Sequence, residues 1–112
     1  LIVADDMGFA DNSYTGMDVA LTPNLRALAT SGLRLRNHHV QPVCSPTRAS
    51  LLTGRHVLRY GLQNTVIWPE DAWSVPVNET TLAQNLQDAG YRTAAFGKWH
   101  LGMHKQWALP SA

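Results

Sequence analysis

Apolar and polar positions change period along this chain, and the changes outline its elements. Leu1 to Ala4 is an unbroken apolar run stopped by Asp5-Asp6 and Gly8, the pattern of a strand buried on both faces. Thr22-Pro23 reads as an N-cap and a first helical residue, after which Leu25, Leu28 and Ala29 form an apolar stripe closed by Gly32. Leu33 to Val43 alternates well enough to predict a second strand. Pro46, with Ser45 as its cap, opens a second helix through Ala49, Leu51 and Leu52 to Gly54. From Arg55 to Val77 the pattern dissolves. Gly61, Pro69 and Pro76 punctuate that stretch, so a surface loop carrying binding contacts is expected, with Trp68 and Trp73 exposed. Thr81 and Gln84 form a capping box ahead of Leu82, Leu86 and Ala89, a third helix ended by Gly90. Tyr91 to Gly97, rich in Ala and aromatic residues, predicts a last strand.

Strands separated by helices need crossover connections, so the order implies an α/β fold with a mostly parallel or mixed sheet flanked by helices. The chain opens inside an apolar run without Met and stops after Pro110-Ser111-Ala112 with no closing element, so residues 1–112 are expected to be an incomplete piece of a larger domain. In folds of this class ligands collect beyond the carboxyl ends of strands, where helix N-termini converge. Three clusters fall at such places.

Asp5-Asp6 ends the first strand. Adjacent carboxylates repel unless a cation, a basic partner or solvent relieves them, and their oxygens suit hard ions such as calcium or magnesium; a solvated turn is the alternative. Cys44 precedes the second helix, where free amide groups and the helix dipole favour an anion, and Arg48 lies four residues on, within reach of the same spot. A buried structural thiol beside a surface Arg would look the same. Gly97-Lys98-Trp99-His100-Leu101-Gly102 follows the last strand, and strand alternation would send Lys98 and His100 to one side, a cation beside a proton shuttle. A plain surface pair is again the alternative.

Together the clusters hold two acids, a nucleophile, an Arg, a Lys and a His, an inventory that fits hydrolysis of an anionic ester. One member clashes with it. Thiol sulfur is soft and poorly matched to a hard ion held by carboxylates, so either the metal is soft, the thiol does not touch it, or Cys44 is not a thiol in the working protein.

Composition narrows the partners. Of 112 residues 45% are hydrophobic and 15% charged, as in ordinary globular proteins. The net charge of +1 comes from scattered residues, which gives no footprint for nucleic acid or an anionic membrane. No apolar run approaches the roughly 20 residues that span a bilayer. A single Cys makes no internal disulfide. Asn78-Glu79-Thr80 is an N-glycosylation sequon, meaningful in a secreted eukaryotic chain.

Cys44-Ser45-Pro46-Thr47-Arg48, with Leu51-Leu52-Thr53-Gly54-Arg55 after it, resembles the first signature of the sulfatase family. Gly97 to Gly102 resembles the second, and Asp5-Asp6-Met7-Gly8 resembles the family's first metal-binding strand end. Thr22-Pro23-Asn24-Leu25 and Ala89-Gly90-Tyr91 extend the likeness through nearly the whole chain. It implies the N-terminal part of a catalytic domain with an alkaline phosphatase-like fold that hydrolyses sulfate esters. It further implies that a formylglycine-generating enzyme oxidises Cys44 to formylglycine, whose hydrate offers oxygens to a calcium ion also held by Asp5 and Asp6. By the same likeness Cys44 becomes the nucleophile, Arg48 stabilises the hydrate, Lys98 holds the sulfate and His100 assists proton transfer; sulfate then leaves by elimination.

Gly61-Leu62-Gln63 through Ile67-Trp68-Pro69 is similar to the arylsulfatase B branch, which acts on sulfated glycans. That branch often has cysteines after the Trp-Pro, where this chain has Glu70, Asp71, Ala72 and Trp73. His38-His39 stands where aromatic residues are usual; both are read as strand residues rather than ligands. The expected substrate is a sulfated small molecule or glycan and the expected location the secretory pathway, lysosomal or extracellular, with a bacterial periplasm as the alternative. Further metal and sulfate ligands would come from sequence after Ala112, so the isolated chain should be inactive. Competing readings are a phosphoester or phosphonate hydrolase of the same superfamily, which commonly uses Thr or Ser where this chain has Cys44, and a non-catalytic binding protein that keeps the fold.

Overall fold

The computed structural model describes residues 1–15 and 21–110. In chain order these form α1 (Pro23–Ser31), α2 (Cys44–Thr53), a 3₁₀ turn (Val57–Arg59), α3 (Leu82–Asp88) and a second 3₁₀ turn (Gln106–Ala108). The chain divides into two compact units, Leu1–His39 and Val40–Ala112.

Among the described residues none belongs to a strand, so the three predicted strands, and with them the sheet, are absent here. A strand exists only by pairing its backbone with a neighbour. Residues 1–4, 33–43 and 91–97 carry apolar side chains without such a neighbour, and Ile2 and Phe96 are 90% and 96% exposed. His38 and His39 are therefore not strand residues; both are exposed.

The helices follow the sequence more closely. Pro23 stands in the first turn of α1, where its missing N–H costs no hydrogen bond. Thr22, however, does not cap α1 with its side chain. Its Oγ1 accepts instead from the Ser13 N–H at 2.9 Å, tying the helix start to the preceding turn. α3 carries both bonds of the predicted capping box, Thr81 accepting from the Gln84 amide and Gln84 accepting from the Thr81 amide. After it, Gly90 takes the left-handed φ of 88° that lets Tyr91 N–H reach back to the Leu86 carbonyl.

α2 begins two residues earlier than expected. Val43 is its extended N-cap, Cys44 its first helical residue, and Ser45 lies inside the helix rather than capping it. Pro46 is tolerated there because the first N–H groups of a helix have no intrahelical acceptor. The helix ends as predicted at Gly54, left-handed at φ 66°.

The larger unit has a core of Ala49, Val57, Leu62, Ile67 and Leu101, with Leu52, Tyr60, Trp73, Val75 and Trp99 packed against it. Val57, Leu62 and Ile67 come from the stretch expected to be surface loop. Fully burying side chains of this size contributes about 1.5–3 kcal/mol each, which orders a segment that has no regular period of its own. Trp68 is exposed as expected, whereas Trp73 is half-buried against the core. Gly102 closes the packing. Its φ is 125°, and a Cβ there would lie 2.2 Å from Ser74 Cβ, so only glycine allows the approach in which Val75 N–H donates to the Leu101 carbonyl at 3.0 Å.

Candidate active site

The site grows from the start of α2. Ser45, Pro46 and Ala49 face inward and are buried, which leaves Cys44 and Arg48, one helical turn apart, on a half-buried face. Cys44 thus sits at a helix N-terminus whose amide groups and dipole favour negative charge. Thr47 Oγ1 donates to the Gln41 carbonyl at 2.9 Å and secures the chain that leads into this turn.

The second motif closes over it. Lys98 Nζ donates to Cys44 Sγ at 3.2 Å, a contact between residues 54 positions apart. Arg48 Nη1 donates to the Lys98 carbonyl, so one cation of the site holds the backbone of the other. The structure therefore brings together Cys44, Arg48 and Lys98, two cations beside a helix N-terminus and a nucleophilic side chain.

His100 joins through an intermediary. Its Nε2 lies 3.1 Å from the Ile67 carbonyl, which can only accept, so Nε2 carries the proton. Ile67 N–H in turn donates to Ser45 Oγ at 3.0 Å. Ile67 thus links His100 to the residue beside Cys44. In the neutral ring Nδ1 then keeps a lone pair, and this atom is buried with no hydrogen-bond partner among the described residues. His100 also holds φ at 59°, left-handed for a residue with a Cβ, which costs about 1–2 kcal/mol. Lys98 and His100 consequently do not share one side of a strand. Lys98 instead meets Cys44 at the start of α2, and His100 meets the Ile67 carbonyl.

Asp5 and Asp6 lie in the smaller unit, both exposed. Among the described residues no three His, Cys, Asp or Glu side chains gather as a metal site. The two adjacent carboxylates are hard oxygen donors that fit a calcium-like ion, while a thiol does not fit one. Ser45 and the Ile67 backbone were not among the expected site residues. They are 22 positions apart, and no local pattern announces a hydrogen bond across that separation.

The sequence model of the Sulfatase family matches residues 1–109. Arylsulfatase J of Mus musculus is 41% identical over 110 residues, 98% of this chain and 18% of the relative. Arylsulfatase A of Bos taurus is 44% identical over 110 residues, 97% of this chain and 22% of the relative. Arylsulfatase G of Rattus norvegicus is 47% identical over 105 residues, 93% of this chain and 20% of the relative. The chain spans about a fifth of the length of these curated relatives. With both signature motifs inside the matched span and meeting at Cys44, the chain belongs to the sulfatase family.

Proposed function

We propose that residues 1–112 are the N-terminal part of a catalytic domain that hydrolyses sulfate esters, with Cys44 as its nucleophilic position. The observation that supports this most is the Lys98 ammonium on Cys44 Sγ at the start of α2. Positive charge beside Cys44 supports the binding of an anionic ester there, and binding energy of this kind counts most when aimed at charge that grows in the transition state.

Cys44 carries a thiol here, and its Sγ stands in for the oxygens of the formylglycine hydrate that the family likeness implies. The modification, made by a formylglycine-generating enzyme, replaces a soft donor by a hard one, which removes the mismatch between Cys44 and a calcium ion held by Asp5 and Asp6. When bound, that ion supplies Lewis-acid polarisation and charge neutralisation. Lys98 binds a sulfate oxygen. Arg48 fixes the Lys98 backbone and adds positive charge beside the nucleophile. His100, held through Nε2 by the Ile67 carbonyl, assists proton transfer. Substrates in this reading are sulfated small molecules or sulfated glycans. The protein would work in the secretory pathway, where Asn78, exposed in the turn before α3, offers its sequon for a glycan. Among the described residues no helix is long and apolar enough to cross a membrane.

Mass spectrometry of the tryptic peptide Asn37–Arg48 from the full-length protein of its natural source tests the assignment. The expected result is the lighter aldehyde at Cys44. Recovery of unmodified thiol alone would sink the formylglycine mechanism.

A further inference from the structure

Ser45 lies in the first turn of α2, next to the nucleophilic position, and is 0% exposed. A hydroxyl taken out of water costs free energy unless it finds a partner, and packing alone would be served as well by Ala. Its Oγ accepts from the Ile67 N–H at 3.0 Å, a buried bond between residues 22 positions apart. Ile67 is fully buried too, and its carbonyl accepts from His100 Nε2 at 3.1 Å, a further 33 positions along the chain. Three segments distant in sequence are thus joined by one chain of hydrogen bonds, which runs from α2 through a single backbone residue to the imidazole of His100.

His100 needs such a hold. Its φ of 59° is left-handed, a conformation that a residue with a Cβ keeps only where its surroundings over-determine it. Nδ1 of its ring is buried without a hydrogen-bond partner among the described residues, which leaves Nε2 to orient the imidazole. The carbonyl that Nε2 reaches is only as well placed as the residue that bears it, and Ile67 is tied to α2 by the Ser45 hydroxyl. We infer that Ser45 is a positioning residue: acting through Ile67, it fixes the ring of His100 relative to the helix start that carries Cys44. This role rests on the proposed sulfate ester hydrolysis, in which His100 assists proton transfer, and adds to it a residue that acts without touching the substrate.

The experiment compares the full-length protein with its Ser45→Ala variant in two readouts. In the first, both are treated with diethyl pyrocarbonate, and carbethoxylation is followed by mass spectrometry of the tryptic peptide Trp99–Lys105, which holds His100 and, as an internal reference, His104. His100 should react about fivefold faster in the variant, as for a locally loosened group, while His104, whose Nδ1 is also buried, keeps its parent rate. An unchanged rate at His100 would overturn the inference. So would equal rises at both rings, which would mean that Ser45 only supports the packing of the whole unit. In the second readout para-nitrophenyl sulfate is the substrate, and turnover is counted per molecule carrying the aldehyde at position 44. There kcat should fall about tenfold, part of the about 10²–10⁴ that a positioned proton-transfer group contributes, with KM within about twofold of the parent. A kcat within about twofold of the parent, or a loss that vanishes once the aldehyde is counted, would also overturn it. Should Ser45→Ala fail to fold, Ser45→Cys, which leaves a weaker acceptor in the same place, takes its part with changes of the same sign. Absence of turnover in the unmutated protein would count against the proposed reaction itself, whereas the labelling of His100 decides the positioning role without any turnover.

Discussion

The two units of the chain are organised by different forces. Val40–Ala112 closes around Ile67, Leu101, Val57, Leu62 and Ala49, and its catalytic candidates are fastened to that core by long-range hydrogen bonds. Leu1–His39 has no buried apolar side chain among its described residues. Among those described residues only Asn12 is buried, and its side chain accepts from the Tyr14 and Thr15 amides and donates to the Phe9 carbonyl. α1 likewise buries no residue. One unit therefore positions its site by packing, whereas the other keeps its shape by local polar bonds and presents apolar surface. Leu1, Ile2, Phe9, Leu21, Leu28, Leu33 and Leu35 all stay exposed there.

That contrast is sharpened first by asking whether the unit without a core carries half of the chemistry. In the full-length protein Asp6→Ala should abolish measurable sulfatase turnover and lower the bound calcium. Unchanged rate and calcium content would remove Asp6 from the ligand set and leave the site to the larger unit alone. Next in size, Lys98→Met should reduce kcat by about 10²–10³, the cost of removing one preorganised group aimed at developing charge, with little change in unfolding. A loss of only a few fold in steady-state kinetics would mean that the contact with Cys44 is structural.

The smallest expected effects test the packing itself. Ile67→Ala should cost about 3 kcal/mol in denaturant unfolding, as for other buried large-to-small changes. Leu28→Ala should cost about 2 kcal/mol in the full-length protein, because the apolar stripe of α1 needs cover that the described residues do not provide. A cost within about 0.5 kcal/mol at Leu28 would show that the stripe faces solvent and that the two units differ by design rather than by missing neighbours.

Helix ends were the most legible features of the fold, since they depend on groups within a few residues of one another. Pro23 starting α1, the reciprocal bonds of Thr81 and Gln84, and the left-handed Gly54 and Gly90 all follow from local steric and hydrogen-bonding rules. The α/β fold is that of the sulfatase family, and the expected strands are absent among the described residues for the complementary reason. An apolar run shows that a segment wants burial, but pairing depends on chain far away in sequence. The stretch 55–77 was misread because Val57, Leu62 and Ile67 follow no helical or strand period, and only their convergence on Ala49 and Leu101 makes them core.

By itself the sequence determined which side chains are available for chemistry: a Cys and an Arg one helical turn apart, a Lys two residues before a His, and a pair of adjacent carboxylates. It also determined that a thiol among hard donors is out of place, since donor softness belongs to the residue and not to its surroundings. Tertiary structure decided how those residues meet. Lys98 reaches Cys44, Arg48 holds the Lys98 carbonyl, and a positive φ at His100 turns its ring onto Ile67. These contacts span tens of residues, and closing such loops is repaid only by the shared core, so no local pattern encodes them.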